Sequence, residues 1–375
     1  MAAMAGAVEL TRSLLNFNTI NPPGAEQSCA QFVGDLLKAA GFTVDYAEFA
    51  ATRTSVVARI GGVNGRRPLG FTGHIDTVPL GATEWKRDAF GASLEGGKLY
   101  GRGSSDMKSG VAAFVVAALR MKEQLKNGPG ATLVITADEE CGCGGAAHLV
   151  KEGTLLGEVG ALVIGEPTAN YPLVGHKGAM WLDVATRGIT AHGSMPERGD
   201  NAIYKAAAAI EKLRQYDFAV ASHGLMGSPT LNVGTVHGGL NINSVPDSAV
   251  IGVDIRTIPG QDHARLRSDL QRVLGETVEI APTIDVGAIY SDPNDPWMQR
   301  VFDIVEPHLG ARPQAKAATY FTDAAVLKEA YRDVPMVVLG PGEPQLAHQT
   351  DEYCNVDRVE QAVDIYCRLI ADWSA

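Results

Sequence analysis

The sequence predicts an α/β fold in two parts: a split first domain built on a largely parallel sheet, and a smaller β-α-β-β-α-β domain inserted into it. Three observations lead there. Short β-branched runs alternate with helical patterns through the first part of the chain, as strand–helix–strand units require. Near Lys177 the rhythm changes to strand, helix, strand, strand, helix, strand, which is the ferredoxin-like order. After the turn-rich SDPNDP near residue 292 the earlier rhythm returns. A chain of 375 residues is also long for one domain. The boundaries fall at 1–176 together with 290–375 for the first domain, and 177–289 for the insert.

Taken in order, EQSCAQFVGDLLKAA (26–40) has apolar residues at helical spacing and stops at Gly41, a C-terminal cap. The run into GHIDTVP is a strand, MKSGVAAFVVAALRMKEQL a helix, and TLVITA and ALVIGEP are strands. The insert reads MWLDVATRG, NAIYKAAAAIEKLRQY, TLNVGTV, AVIGVDIRTI, HARLRSDLQRVLG and TVEIAPTIDV. PWMQRVFDIVEPHLG (helix) and VPMVVLG (strand) close the first domain.

Composition narrows the function. A hydrophobic content of 45% supplies a sizeable core. A net charge of −11 without a lysine or arginine cluster excludes a nucleic-acid partner, which needs a basic face. No stretch approaches a membrane span, and MAAMAGAVEL lacks the basic and apolar parts of a signal segment. Five cysteines (29, 141, 143, 354, 367) without framework spacing suit a reducing compartment, so the expected location is the cytoplasm.

The chemistry sits at the strand ends. LGFTGH ends at His74, TLVITADEE at Glu140, ALVIGE at Glu166, and VPMVVLGPG is followed shortly by His348. In an open α/β sheet the ligand site lies beyond the carboxyl ends of parallel strands, so these four meet along one edge. Asp106 follows GRGSS and precedes a helix, where it is expected as an N-cap, and it adds a fifth. Two imidazoles and three carboxylates repel unless positive charge sits among them, and a pair of divalent metals supplies it. Imidazole with carboxylate suits zinc or cobalt. Successive residues diverge in direction, so Glu140 can bind metal while Glu139 stays free to take a proton.

GHIDTVP, GRGSSDMKSG, TADEE, GEPT, AHGSMPERGDNAI, NINSVPD, VDIRTIPG and GPGEPQLAHQTDEY together resemble the motifs of the acetylornithine deacetylase and succinyl-diaminopimelate desuccinylase family of dinuclear zinc amidohydrolases. The match runs over nearly the whole chain in the family's order. It looks nearest to acetylornithine deacetylase in PTLNVGTVHGG, DIRTIPG and LGPG with AHQTDEY. The resemblance implies that His74 and Glu166 hold one metal and Glu140 and His348 the other, with Asp106 bridging them. Asp76 would orient His74, and Glu139 would be the general base. The insert would be lid and dimerisation domain, its His192 reaching the partner subunit's site to stabilise the oxyanion. Arg256 and Asn243 would hold the substrate carboxylate. Thr322 and Gly342 resemble substrate-pocket residues, Thr322 loosely because TYFTDA departs from a small-residue pattern. The implied substrate is an N-acyl amino acid, and Glu166 in GEPT, where the family's carboxypeptidases tend to carry aspartate, favours deacylation over release of a C-terminal residue.

Other readings of the same residues explain less. GCGGAA fits a dinucleotide-binding turn, but Asp138, Glu139 and Glu140 would meet the pyrophosphate with negative charge. No GxSxG occurs for a serine hydrolase. Cys141 and Cys143 lack a second ligand pair and read as turn and helix-start residues. Histidines 148, 176, 223, 237, 263 and 308 read as surface or core.

Overall fold

The computed structural model describes residues 6–63 and 65–375. The chain divides into two units, one of 1–175, 289–317 and 322–375, the other of 176–288 and 318–321. The sequence reading leaves 318–321 in the first part. The backbone carries this segment to the second by bridging Ala318 to His176, and Lys177 donates to its carbonyl at 3.1 Å.

In the first unit β1 (Thr43–Ala50), β2 (Arg53–Ile60), β3 (Leu69–His74), β4 (Ala131–Thr136), β5 (Ala161–Ile164) and the strand Met336–Val338 form one sheet. Its order is β1-β2-β4-β3-β5 and then Met336–Val338. β4, β3, β5 and the last strand run parallel, while β1 and β2 form an antiparallel hairpin on β4. Every residue of β3, β4 and β5 is buried, as strands covered on both faces must be. Phe71 of β3 shows what covers it: its ring lies 5.8 Å from Phe114 of helix Ser109–Arg120 and 5.6 Å from Tyr366 of helix Val356–Ser374. The long helix expected over MKSGVAAFVVAALRMKEQL is two, Ser109–Arg120 and Lys122–Lys126, with a break at Met121.

The second unit has β6 (Gly178–Arg187), β7 (Thr230–Gly238), β8 (Ser248–Thr257) and β9 (Val278–Val286) in the order β7-β8-β6-β9, all neighbours antiparallel. Helices Ala202–Arg214 and His263–Leu274 complete the ferredoxin-like arrangement. Burial along β8 alternates strictly, so one face packs Ile251, Val253 and Ile255 against Leu213, Leu266 and Leu270 while the other stays half-covered. Among the described residues no helix is long and apolar enough to cross a membrane.

Candidate metal centre

The carboxyl ends of the parallel strands gather the expected side chains. His74, the last residue of β3, is 1% exposed. Its Nδ1 lies 3.0 Å from the Asp76 carbonyl oxygen and 3.4 Å from Asp76 Oδ1. Its Nε2 lies 3.2 Å from Asp106 Oδ1 and 3.7 Å from Glu166 Oε1. The other oxygen of Asp106 is 3.4 Å from His348 Nε2, which in turn is 3.2 Å from Glu140 Oε2. Asp106 therefore stands between the two imidazoles with one oxygen toward each, and each imidazole has its own glutamate.

Asp106 is not the helix cap that its position suggests. It sits in the turn Ser104–Lys108 at φ −121°, ψ 95°, and the helix from Ser109 begins without a side-chain cap. A carboxylate committed to two histidines is not also free to take a helix N–H.

The electrostatics describe a centre short of positive charge. Burial, reinforced by Glu166 and Glu140 and opposed by His74, holds the Glu139 carboxyl well above the usual range. Burial does the same to Glu166, and burial with the Asp106 charge raises Glu140. His348 is pushed up to about 10 by its bonds to Asp106 and Glu140. Burial opposes protonation of His74, but Asp106 and Asp76 outweigh it and raise this histidine too. The Oε1 atom of Glu140 is buried and finds no hydrogen-bond partner among the described residues. Carboxyl groups whose burial raises them, histidines raised by the carboxylates beside them, and an orphaned oxygen together fit a divalent-metal site. His74, Asp106 and Glu140 already present ligand atoms within 4.8 Å of one another.

A polar chain behind the centre escapes sequence reading. Asp76 accepts from the backbone N–H of Glu139 at 3.1 Å and of Glu140 at 3.2 Å, and from Asn21 Nδ2 at 2.8 Å. Asn21 also donates to Asp138, which Arg53 holds at 2.7 Å while its guanidinium grips the buried Glu26 at 2.7 and 2.8 Å. The paired glutamates are thus placed by a carboxylate that also orients His74. Asp138 has φ +64°, a left-handed conformation that turns the chain directly after the strand. Gly144 and Gly145 follow because a Cβ there would meet Asp138 Oδ2 at 2.1 Å or the Ala137 carbonyl at 2.3 Å, so these glycines serve close packing. Cys143 is buried at the start of helix Gly144–Glu152 and Cys141 is exposed.

Gly342 is buried, and a Cβ there would meet the Ser105 carbonyl at 2.0 Å. The Thr322 hydroxyl accepts from Ala324 N at 3.2 Å at the start of helix Ala324–Tyr331.

Within the second unit His192 and Asn243 are exposed on adjoining segments, joined by Gly193 N–H to the Asn243 carbonyl at 2.7 Å. The Ser194 N–H donates to His192 Nδ1 at 3.2 Å, which leaves Nε2 to carry the ring proton outward. Arg256 on β8 pairs with Asp254 at 2.9 Å, and its guanidinium carbon lies 6.0 Å from the ring centres of both Trp181 and Phe321. Trp181 Nε1 donates to the same Asp254 at 3.0 Å.

A two-histidine, carboxylate-rich centre at the carboxyl edge of a parallel sheet is a setting that suits metal-assisted hydrolysis. The comparisons agree. The model of peptidase family M20/M25/M40 matches residues 70–372, and the chain belongs to that family. A Staphylococcus epidermidis protein named "Probable succinyl-diaminopimelate desuccinylase" is 30% identical over 393 residues, covering 96% of this chain and 95% of its own. An M20 family metallo-carboxypeptidase from Sulfolobus solfataricus superposes with a TM-score of 0.84 at 18% identity, over 99% of this chain and 100% of that one. A dinuclear metal binding peptidase of the M20 family from Bacillus subtilis gives 0.69 at 16% identity, over 98% and 97%. These two likenesses show the shared fold. The chain is a metal-dependent amide hydrolase, as the amidohydrolase resemblance implies, and GCGGAA is not a dinucleotide-binding turn.

Proposed function

We propose that the protein hydrolyses the amide of N-acyl amino acids, releasing the acyl acid and the free amino acid. The observation that carries this reading is Asp106 between two imidazoles, each with its own glutamate, beside a Glu139 that belongs to neither pair. His74 and Glu166 would hold one ion, His348 and Glu140 the other, and Asp106 both, with zinc as the metal and cobalt as a substitute. When bound, such a pair polarises the amide carbonyl and acidifies water. Glu139 takes the proton of the attacking water and delivers it to the leaving nitrogen, a task suited to a carboxyl whose burial raises its proton affinity. Asp76 keeps His74 oriented.

Arg256 binds the substrate carboxylate with Asn243, its planar fork backed by Asp254 and flanked by Trp181 and Phe321. Thr322 and Gly342 shape the loops of the first unit. The insert, 177–289, acts as lid and dimerisation domain. Its β7 has a free edge, and Tyr204, Val236, Leu240 and Ile242 leave large apolar side chains in solvent, which a second copy of the chain would cover. His192 donates Nε2–H to the oxyanion of the partner's site. The enzyme works in the cytoplasm.

A hydrolysis screen of N-acetyl, N-succinyl and N-formyl amino acids and of dipeptides, with zinc-loaded protein, tests the substrate class. Turnover of acyl amino acids supports it, and turnover of dipeptides alone assigns the chain to the peptidases of its family. Mixing His192→Ala with Glu139→Gln tests the shared site, since only a site that borrows His192 across the dimer regains activity. No recovery in proven heterodimers assigns His192 to its own subunit.

A further inference from the structure

Behind the turn that carries Asp106 lies a fully buried ion pair that the mechanism leaves unused. Glu352 is 0% exposed and Arg102 1%. Glu352 Oε1 accepts from the backbone N–H of Ser105 at 2.7 Å and of Asp106 at 3.0 Å. Its Oε2 accepts from Gly103 N–H at 3.1 Å and from Arg102 Nη1 at 2.6 Å. The same Nη1 reaches the Gln349 carbonyl at 3.2 Å, and Nη2 reaches the Pro79 carbonyl at 3.1 Å. Two side chains therefore tie together the segment of Asp106, the loop of His348 and the stretch that follows Asp76.

We infer that Glu352, held by Arg102, is a positioning residue of the centre: it clamps the Asp106 turn to the His348 loop and so fixes these two side chains against each other. The inference rests on the reading that Asp106 and His348 bind metal. A stability role alone accounts poorly for the pair, because a buried ion pair repays its desolvation only marginally and an apolar pair can fill the same space. What an apolar pair cannot do is satisfy three backbone N–H groups converging from a non-helical turn. Gly103 lies at φ +89° and Asp106 outside the helical region, so the amides of Gly103, Ser105 and Asp106 point at one spot. Such a nest accepts an anion, and here the anion is the protein's own carboxylate.

The clamp matters most for His348. That residue has φ +64° and a side chain 55% exposed, so no core packing fixes it, in contrast to His74 at the end of a buried strand. Its immediate neighbour Gln349 is anchored by Arg102, and Glu352 lies on the same loop. The Ser105 hydroxyl adds a second tie, donating to the Tyr353 carbonyl at 2.7 Å.

The test uses the full chain and compares wild type with Glu352→Asp, Glu352→Gln and Arg102→Lys. Glu352→Asp keeps the charge but is one methylene short of the nest, and Arg102→Lys keeps the charge but loses the fork. Metal-free proteins are dialysed against buffered zinc and bound zinc is measured, followed by the visible spectrum of the cobalt-loaded forms and by kcat and KM. Wild type should take two ions per chain. Glu352→Asp should bind zinc roughly 10- to 100-fold more weakly and show shifted cobalt bands. In metal excess its kcat should fall while KM stays within about 2-fold. Arg102→Lys should move the same readouts in the same direction by less. Glu352→Gln strands the Arg102 charge, and if it does not fold the two charge-preserving variants decide. Wild-type zinc affinity and cobalt spectrum in folded Glu352→Asp overturn the inference, as does a loss that only tracks the melting of the metal-free protein. Failure of wild type itself to bind zinc overturns the metal reading, and the clamp with it.

Discussion

In the first unit His74, Asp76, Glu139 and Glu166 are buried against one another, whereas in the second His192 and Asn243 stand in solvent and Arg256 is half-buried, paired with Asp254 and flanked by two rings. The contrast follows from charge. Carboxyl groups removed from water with too few cations are relieved by holding protons or by a cation that binds there and replaces them. Donors kept in solvent on a preformed support await an acceptor brought from outside. Damage to the first unit should therefore appear in metal content and kcat, and damage to the second in KM and in preference for acidic substrates.

The largest effect expected is from the metal itself. Removal by a chelator should abolish hydrolysis, and zinc or cobalt should restore it. Full activity in protein shown by elemental analysis to be metal-free breaks the reading of the first unit. Next come the paired glutamates. Glu139→Gln should retain its metal yet lose about 10²- to 10⁴-fold in kcat, as removal of a general base does. Glu140→Gln should instead lose metal. Equal metal loss in both variants would show that the two residues share one role.

Arg256→Lys probes the second unit with a smaller loss. Lysine keeps the charge but not the fork, and hydrogen bonds to charged groups are worth about 1.5–3 kcal/mol, so kcat/KM for N-acyl amino acids should fall roughly 10- to 100-fold. Substrates whose carboxylate is replaced by an amide should be poor for wild type and barely affected by the change. The same loss on acid and amide would reduce Arg256 to a support for Asp254 and Trp181.

The contrast also explains what could be read from the sequence. His74, Glu140 and Glu166 end or follow apolar runs, and parallel strands must bring such ends together, so the edge of the centre was legible from local pattern alone. The ferredoxin-like insert was legible for the same reason, each element declaring its own period. Asp106 is not the cap its position predicts, because its carboxylate answers to His74 and His348 and its backbone N–H to Glu352, residues far apart in the chain, rather than to the helix beside it. Asn21, Glu26 and Arg53 gave no signal, and Arg102 and Glu352, though they lie within GRGSSDMKSG and AHQTDEY, carried no role there. Polar and charged residues are ordinarily at the surface, and only the folded chain shows Asn21, Glu26, Arg102 and Glu352 buried and Arg53 paired with Glu26 and Asp138. Likewise 318–321 follows a turn-rich return to the first unit and reads as part of it, until the bridge from His176 to Ala318 appears.

The smallest effect tests whether the first unit lacks cations when its metal is absent. Without metal, the bonds to Asp106 and Glu140 push His348 up to about 10, from its ordinary 6.5. A histidine whose folded pKa is raised contributes stability that is fully present below the unfolded value and is lost as pH rises through the folded one. Glu139, Glu140 and Glu166 are raised above 4.5 and act in the same direction, since each binds its proton more tightly in the folded state. Asp106 is lowered, but its contribution is complete above the ordinary carboxylate range and does not change near neutrality. Between about pH 6.5 and 10 His348 therefore holds a proton that the unfolded chain has given up, and its contribution to stability declines as pH rises. Zinc bound at these residues would expel those same protons, so any stabilisation by zinc should grow with pH. Calorimetric scans from pH 6 to 8.5 should show the melting temperature with chelator falling while the gap to the zinc-loaded protein widens. A gap that does not widen with pH would mean that zinc binding releases no protons, so that the histidines and carboxyl groups are already deprotonated in the metal-free fold.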